Sequence, residues 1–188
     1  MRIMTAVVLA MTVALLASCR TDDEDIVGAE TEDVAPPTEG PVKGFFLLNE
    51  GNMGSNKCTL DYFDAASGTY TRNIFGEANP GVVNELGDVG NDLQVYDDKL
   101  WAVVNCSHLV EVMDVETARH IGQISIPNCR YITFSGDYAY VSSYAGEVQI
   151  DPNARLGYVA KIDIKSLEVV AECTVCLLYT SPSPRDVE

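Results

Sequence analysis

One pattern recurs three times along the chain and constrains its fold more than any other feature. Two short apolar runs are joined by a turn in which an aspartate is followed, three residues later, by a hydroxyl residue. The copies read LDYFDAASGTYTRNI from Leu60, VEVMDVETARHIGQISI from Val110 and VAKIDIKSLEVVAECTV from Val159. Asp64, Asp114 and Asp163 fall at matching points, with Ser67, Thr117 and Ser166 three positions on. This spacing suits an Asx-type turn, in which the carboxylate accepts from backbone N–H groups and fixes the register of a hairpin. The repeated aspartates are therefore read as structural rather than catalytic.

Around each copy the sequence breaks into short runs rich in Val, Ile, Tyr and Phe, bounded by Asp, Gly, Asn and Ser, and no 3.6-residue apolar period persists long enough for a helix. The middle unit segments as DLQVY from Asp92, KLWAVVN from Lys99, LVEVMDV from Leu109 and HIGQISI from His120. The next repeats it as RYITF, YAYVSSY, YVAKIDI and EVVAECTV, and the first offers only FFLLN, TLDYFD and TYTRNI. Four-stranded units recurring every ~40 to 45 residues are the signature of propeller blades. Units two and three are offset by 138 − 99 = 39 residues at their second strands and by 163 − 114 = 49 at their third, so ten extra residues lie in one loop. A lone four-stranded sheet has two faces and little to cover them, so such units must stack side by side to exclude water. The expectation is an all-β, β-propeller fold with about three blades, over residues 43–75, 92–126 and 130–175. FFLLN matches KLWAVVN, so unit one lacks its first strand.

Alternate turns of an antiparallel meander emerge on opposite ends of the sheet. The connections between strands one and two, and between three and four, are tight. Every long or irregular connection belongs to the other end: NEGNMGSNK from Asn49, FGEANPGVVNELGDVGN from Phe75, NCSH from Asn105, PNCR from Pro127 and YAGEVQIDPNARLG from Tyr144. Loops held by a scaffold on one face are where binding usually resides, so this end is the expected ligand face. Cys106 and Cys129 both sit in its connections. They are either a disulfide, as an exported protein allows, or two buried thiols, because the Cα separation a bridge needs is not in the sequence. Cys58 and Cys173 are expected in the core. No His-x-x-His, Cys-x-x-Cys or Gly-x-Ser-x-Gly arrangement points to a metal or a nucleophile. His108 lies in a ligand-face loop, His120 begins a strand, and Asp151-Pro152-Asn153 reads as a turn. No catalytic residue, metal or cofactor is expected.

The ends carry a different message. Residues 1–18 combine Arg2 with an apolar run from Ala6 to Leu16, shorter than the ~20 residues of a spanning helix, and read as a signal peptide. Leu16-Ala17-Ser18-Cys19 resembles a bacterial lipobox, with Cys19 as the lipidated residue and the lipid as the only membrane attachment. Residues 19–42 hold eight acidic residues and one basic, a net of 1 − 8 = −7, and are expected to be a solvated tether. A net charge of −16 opposes nucleic acid and anionic membrane surfaces as partners. The final stretch, CLLYTSPSPRDVE (residues 176–188), abandons the strand pattern. Its first eleven residues resemble a translated sequencing adapter, so the chain is expected to be a truncated fragment with an artefactual tail.

The V-x-V-x-D-x-x-T pattern resembles the YncE-like repeats of seven-bladed propellers. NEGNMGSNKCTLDYFD, ELGDVGNDLQVYDDKLWAVVNCS and IPNCRYITF resemble the Bacteroidota surface lipoproteins of the DUF5074 type, over about Gly44 to Val175. That likeness implies a protein of the cell outer membrane that faces the exterior, captures cobalamin (vitamin B12) and passes this corrinoid to a TonB-dependent transporter. It brings over the ligand face as a region, on which loop position selects Asn52, Met53, Asn84, Asp88, His108, Arg130 and Tyr144 as ligand-binding residues. A large corrinoid with peripheral amides wants a broad platform of Asn, Tyr and backbone groups and needs no catalytic group. An adhesive or glycan-binding scaffold, and a propeller hydrolase or quinoprotein dehydrogenase, are the alternative functions.

Overall fold

The computed structural model describes residues 30–82, 86–145 and 157–175. Cys19, Asn84, the leader, Asp151 to Asn153 and the tail 176–188 lie outside them. The strands are β1 (Thr31–Asp33), β2 (Gly44–Asn49), β3 (Thr59–Asp64), β4 (Thr69–Thr71), β5 (Gly90–Tyr96), β6 (Lys99–Val104), β7 (Leu109–Asp114), β8 (His120–Ser125), β9 (Cys129–Ser135), β10 (Tyr138–Ser143), β11 (Tyr158–Asp163) and β12 (Glu168–Thr174), with one helical turn, α1 (Ile74–Ala78). They form three four-stranded antiparallel sheets in the orders β1-β4-β3-β2, β5-β6-β7-β8 and β9-β10-β11-β12. The all-β expectation and the three repeat units hold, with the first sheet made up to four strands by β1, which the sequence reading did not assign.

Each sheet is cemented to the next through side chains that alternate across its strands. Leu100, Ala102, Val104 and Met113 of the middle sheet pack with Leu60 and Phe75 toward the first. Trp101, Val103, Val110 and Val112 point the other way and pack with Val141, Ala160 and Ile162 of the third. Both faces of the middle sheet are covered, which is why LWAVV runs continuously apolar. In β10 and β11 burial alternates residue by residue, because among the described residues one face of the third sheet packs on the middle sheet. A fully buried aliphatic side chain is worth about 1.5 to 3 kcal/mol, so these two layers supply the main cohesion of the stack.

The repeated turns are built as the spacing predicts. Asp64 accepts from Ala66 N (3.0 Å) and Ser67 Oγ (2.8 Å), Asp114 from Thr117 N (2.8 Å) and Thr117 Oγ1 (2.6 Å), and Asp163 from Lys165 N (3.0 Å) and Ser166 N (2.9 Å). These bonds to the charged form hold all three carboxyls below the usual range, led by the Ser67 hydroxyl at Asp64, the Thr117 hydroxyl at Asp114 and the Ser166 N–H at Asp163. One position further on, the chain turns left-handed at Gly68 (φ 76°), Ala118 (φ 54°) and Leu167 (φ 58°), each donating its N–H to the carbonyl of the turn's own aspartate at 2.9 Å.

Three expectations are corrected. The stretch 19–42 is not solvated tether throughout: β1 pairs with β4 on the outer edge of the first sheet, Glu32 bonding Arg72 Nη2 at 2.8 Å. Its acidic composition forbids a buried strand, but not an exposed edge strand whose partner brings a cation. A helix exists after all, one turn held by Asn79 N donating to Phe75 O (3.1 Å) and burying Phe75 against the core. It is too short to show as periodicity. Cys173 is exposed on the outermost strand β12, whereas Cys58 is fully buried. Among the described residues, unit one lacks its first strand: β2 pairs there with β3 and with no other strand.

Candidate functional site

The irregular connections gather at one end of the stack, where they are knitted to one another in sequence. Residues 50–58 meet residues 86–90 through Gly90 N to Glu50 O (3.0 Å), Cys58 N to Gly87 O (2.9 Å) and Gly54 N to Asp88 Oδ2 (2.8 Å). That segment meets 105–108 through Asn105 N to Val89 O (2.8 Å), Cys106 N to Asp88 O (3.1 Å) and Asp88 N to Ser107 Oγ (2.8 Å). Asn105 Nδ2 reaches Cys129 O (2.8 Å) and Asn128 N reaches His108 Nδ1 (3.0 Å), drawing in the next crossover. Tyr144 N closes the series on Asn128 O (3.2 Å). The result is a continuous rim spanning all three sheets.

The predicted residues are distributed along this rim. Met53 stands 81% exposed beside the exposed Asn52, whose carbonyl accepts from Ser55 N at 2.9 Å. Asp88 is brought to that loop by its bond to Gly54. His108 is exposed and linked to the crossover that carries Arg130. The Arg130 guanidinium lies over the Tyr144 ring, 5.4 Å from its centroid, and 6.0 Å from that of Tyr131. Asp88 Oδ1 and Arg130 Nε are buried and have no hydrogen-bond partner among the described residues. Cys106 sits between these charges: burial pushes its thiol up, Asp88 adds to that and Arg130 opposes it.

Cys106 and Cys129 are free thiols. Cys129 donates to Val104 O (3.5 Å) and Leu109 O (3.3 Å), and burial pushes both its thiol and that of Cys58 up to about 12. Such thiols are protonated and inert at neutral pH. Among the described residues, no group of three or more His, Cys, Asp or Glu side chains is placed to hold a metal ion.

Backbone strain concentrates here. Asn56, Val89, His108, Asn128 and Ala145 all have φ between 46° and 66° on the rim. Val89, β-branched and buried, is the costliest of them, since a left-handed non-glycine residue costs on the order of 1 to 3 kcal/mol.

Reasoning from sequence missed the residues that hold the rim in place. Asn91 Nδ2 donates to Arg130 O (2.7 Å) and Asp92 Oδ2 accepts from Ile132 N (2.9 Å), tying β5 to β9. Asp61, buried in β3, accepts from Asn49 Nδ2 (2.8 Å), Tyr70 Oη (2.7 Å) and Asn73 N (2.9 Å). At the matching point of β7, the buried Glu111 pairs with His120 Nδ1, and burial pushes its carboxyl up against the opposing pull of the imidazole. The recurrence of an acid at these two matching offsets was the available signal. A cleft of about 880 Å³ was also missed; it opens between the first and middle sheets at the end opposite the rim.

A search of curated proteins finds no match to this chain. A family described as a domain of unknown function, DUF5074, matches residues 43–173, which is well over half of the chain and takes in all three sheets from β2 onward. The chain belongs to the DUF5074 family.

Proposed function

We propose that this chain is a binding protein whose sheets are successive blades of a β-propeller and whose rim of crossovers captures a small molecule. The observation that carries this reading is the rim itself: loops from three sheets are tied edge to edge, strained, and furnished with exposed Asn52, Met53 and His108 beside the half-buried Asp88, Arg130 and Tyr144. Strain held by surrounding hydrogen bonds is a mark of pre-organised sites. The convergence of the first strands β5 and β9, with the sheets fanning out from them, supports the propeller.

The ligand is cobalamin. Amides around a corrinoid find partners in Asn side chains and loop carbonyls, the Arg130–Tyr144 stack offers a flat cationic surface to a planar ring system, and His108 offers an imidazole. Lipidated at Cys19 and facing outward from the outer membrane, such a domain holds its cargo above a TonB-dependent transporter and releases it to that partner. Binding alone accomplishes this, with no covalent step and no cofactor.

Titration calorimetry with cyanocobalamin tests the reading. Saturable heat at micromolar ligand is expected, weakened at least about tenfold by Arg130→Ala with thermal stability unchanged. Absence of heat, or an unaltered affinity in Arg130→Ala and His108→Ala alike, refutes it.

A further inference from the structure

The chain has two histidines, and their rings sit against opposite kinds of partner. His120 Nδ1 faces the Glu111 carboxylate, an acceptor. His108 Nδ1 faces the backbone N–H of Asn128 at 3.0 Å. A backbone N–H can only donate, so this ring nitrogen accepts, and a ring nitrogen that accepts carries no proton. The single proton of the neutral His108 imidazole therefore resides on Nε2. The reverse tautomer would set two N–H groups against each other and cost Asn128 N its acceptor.

The backbone holds the ring to this arrangement. His108 closes the 105–108 turn in a left-handed conformation (φ 58°), its N–H on Asn105 O at 3.0 Å and its carbonyl accepting from Ile126 N at 2.8 Å. The next crossover thus grips residue 108 twice, Ile126 at the carbonyl and Asn128 at the ring. Asn128 is left-handed as well (φ 46°) and passes the linkage on to Tyr144 through its own carbonyl. His108 stays exposed, with Nδ1 committed to the rim and Nε2–H left for what the rim meets.

We propose that His108 meets the captured molecule as a hydrogen-bond donor through Nε2–H and forms no bond to its metal. This rests on capture of a corrinoid at the rim and narrows it. A histidine that ligates through Nε2 keeps its proton on Nδ1, where an acceptor holds it; here Nδ1 lies on a donor. Ligation through Nδ1 is closed too, because the Asn128 N–H takes up that lone pair. Freeing either nitrogen undoes the joint between the 105–108 turn and the crossover that leads to Tyr144. The group that fits is an acceptor on the corrinoid periphery, a carboxamide carbonyl or a phosphodiester oxygen, rather than the cobalt. Release follows from the same choice: a nitrogen bond to oxidised cobalt exchanges slowly, whereas a hydrogen bond breaks readily, as handing on a cargo requires.

Long-range proton–nitrogen correlation spectroscopy of the full chain reads the tautomer without any ligand, with the His108 signals assigned by their loss in His108→Gln. A protonated Nε2 and a bare Nδ1 are expected for His108, against a protonated Nδ1 for His120. A His108 proton on Nδ1, or one averaged over both nitrogens, overturns the proposal. The ligand arm uses aquocobalamin, whose axial water a histidine can displace, beside cyanocobalamin, whose cyanide resists displacement. Dissociation constants within about threefold of each other are expected, with the visible spectrum of aquocobalamin unchanged on binding. His108→Gln, which offers an amide N–H in place of Nε2–H, keeps affinity within about threefold, while His108→Leu loses about tenfold, both variants having given up the Asn128 bond. A spectral shift of aquocobalamin that His108→Gln abolishes, or equal affinities in the two variants, overturns the proposal. The tautomer is read without corrinoid, so failure of both cobalamins to bind counts against capture and is distinct from a wrong tautomer.

Discussion

Replacing Asp61 by alanine tests how much of the first sheet rests on one buried carboxylate. Asp61 is 5% exposed and receives three hydrogen bonds, from the amide of Asn49 on β2, the phenol of Tyr70 on β4 and the backbone of Asn73 beyond it. It therefore joins both flanking strands to the segment that enters α1. A hydrogen bond to a charged group contributes about 1.5 to 3 kcal/mol, and a buried donor left unpaired costs about 1 to 3 kcal/mol. Tyr70 is half-exposed and can recover a bond to water, while the backbone N–H of the buried Asn73 cannot. The net cost of Asp61→Ala is then about 3 to 5 kcal/mol, in line with breaking other buried ionic contacts. Urea denaturation reads it as a midpoint lowered by about 2 M, taking a slope of about 2 kcal/mol/M. Tyr70 supplies an independent readout: burial, and then the hydrogen bond and charge of Asp61, push its phenol up from 10.0 to about 12. A phenol raised on folding keeps its proton in the native state while the unfolded chain releases it, so stability falls as pH rises from 10 toward 12. In Asp61→Ala the ultraviolet titration of Tyr70 moves back toward 10. A midpoint shift below about 0.3 M, or a Tyr70 titration that stays put, would refute the reasoning.

Two further predictions concern the backbone and the thiols. Asp97 occupies the left-handed position of the β5–β6 turn (φ 58°) that Gly136 fills at the matching turn of the third sheet (φ 57°), so Asp97→Gly stabilises by roughly 0.5 kcal/mol, measured as a higher melting temperature; a lower one counts against a strained turn. In the native protein, Cys173 is alkylated within minutes, Cys106 more slowly, and Cys58 and Cys129 only after unfolding, followed by peptide mass mapping; early labelling of Cys129 contradicts its buried bonds to Val104 and Leu109.

The elements legible in the sequence are those whose cause is local. The Asp-x-x-hydroxyl turns, the tight connections and the alternation of β10 and β11 each depend on a few neighbouring residues, and all lie where the pattern puts them. Cys173 misled because its strand, EVVAECT, has the composition of a core strand, yet among the described residues it stands at the edge of its sheet. The pairing of β1 was hidden because its partner lies some 40 positions away, and only their contact brings Glu32 to Arg72. Of the predicted rim residues, loop position alone identified the end of the stack, while Asn91, Asp92 and Asn105, which hold adjoining crossovers together, sit in or beside strands and carried no local mark.

The amino-acid order by itself determined that this chain makes antiparallel four-stranded units, where each unit turns, and that its irregular crossovers share one end, because hairpin chemistry and strand alternation act over a handful of residues. Tertiary structure alone decided which faces are covered, which carboxylates are buried and where space is left over. Those depend on which sheet lies against which: Phe46 and Trp101 occupy the same place in the repeat, yet one borders a cleft and the other a closed core, according to the side chains that the facing sheet brings against it.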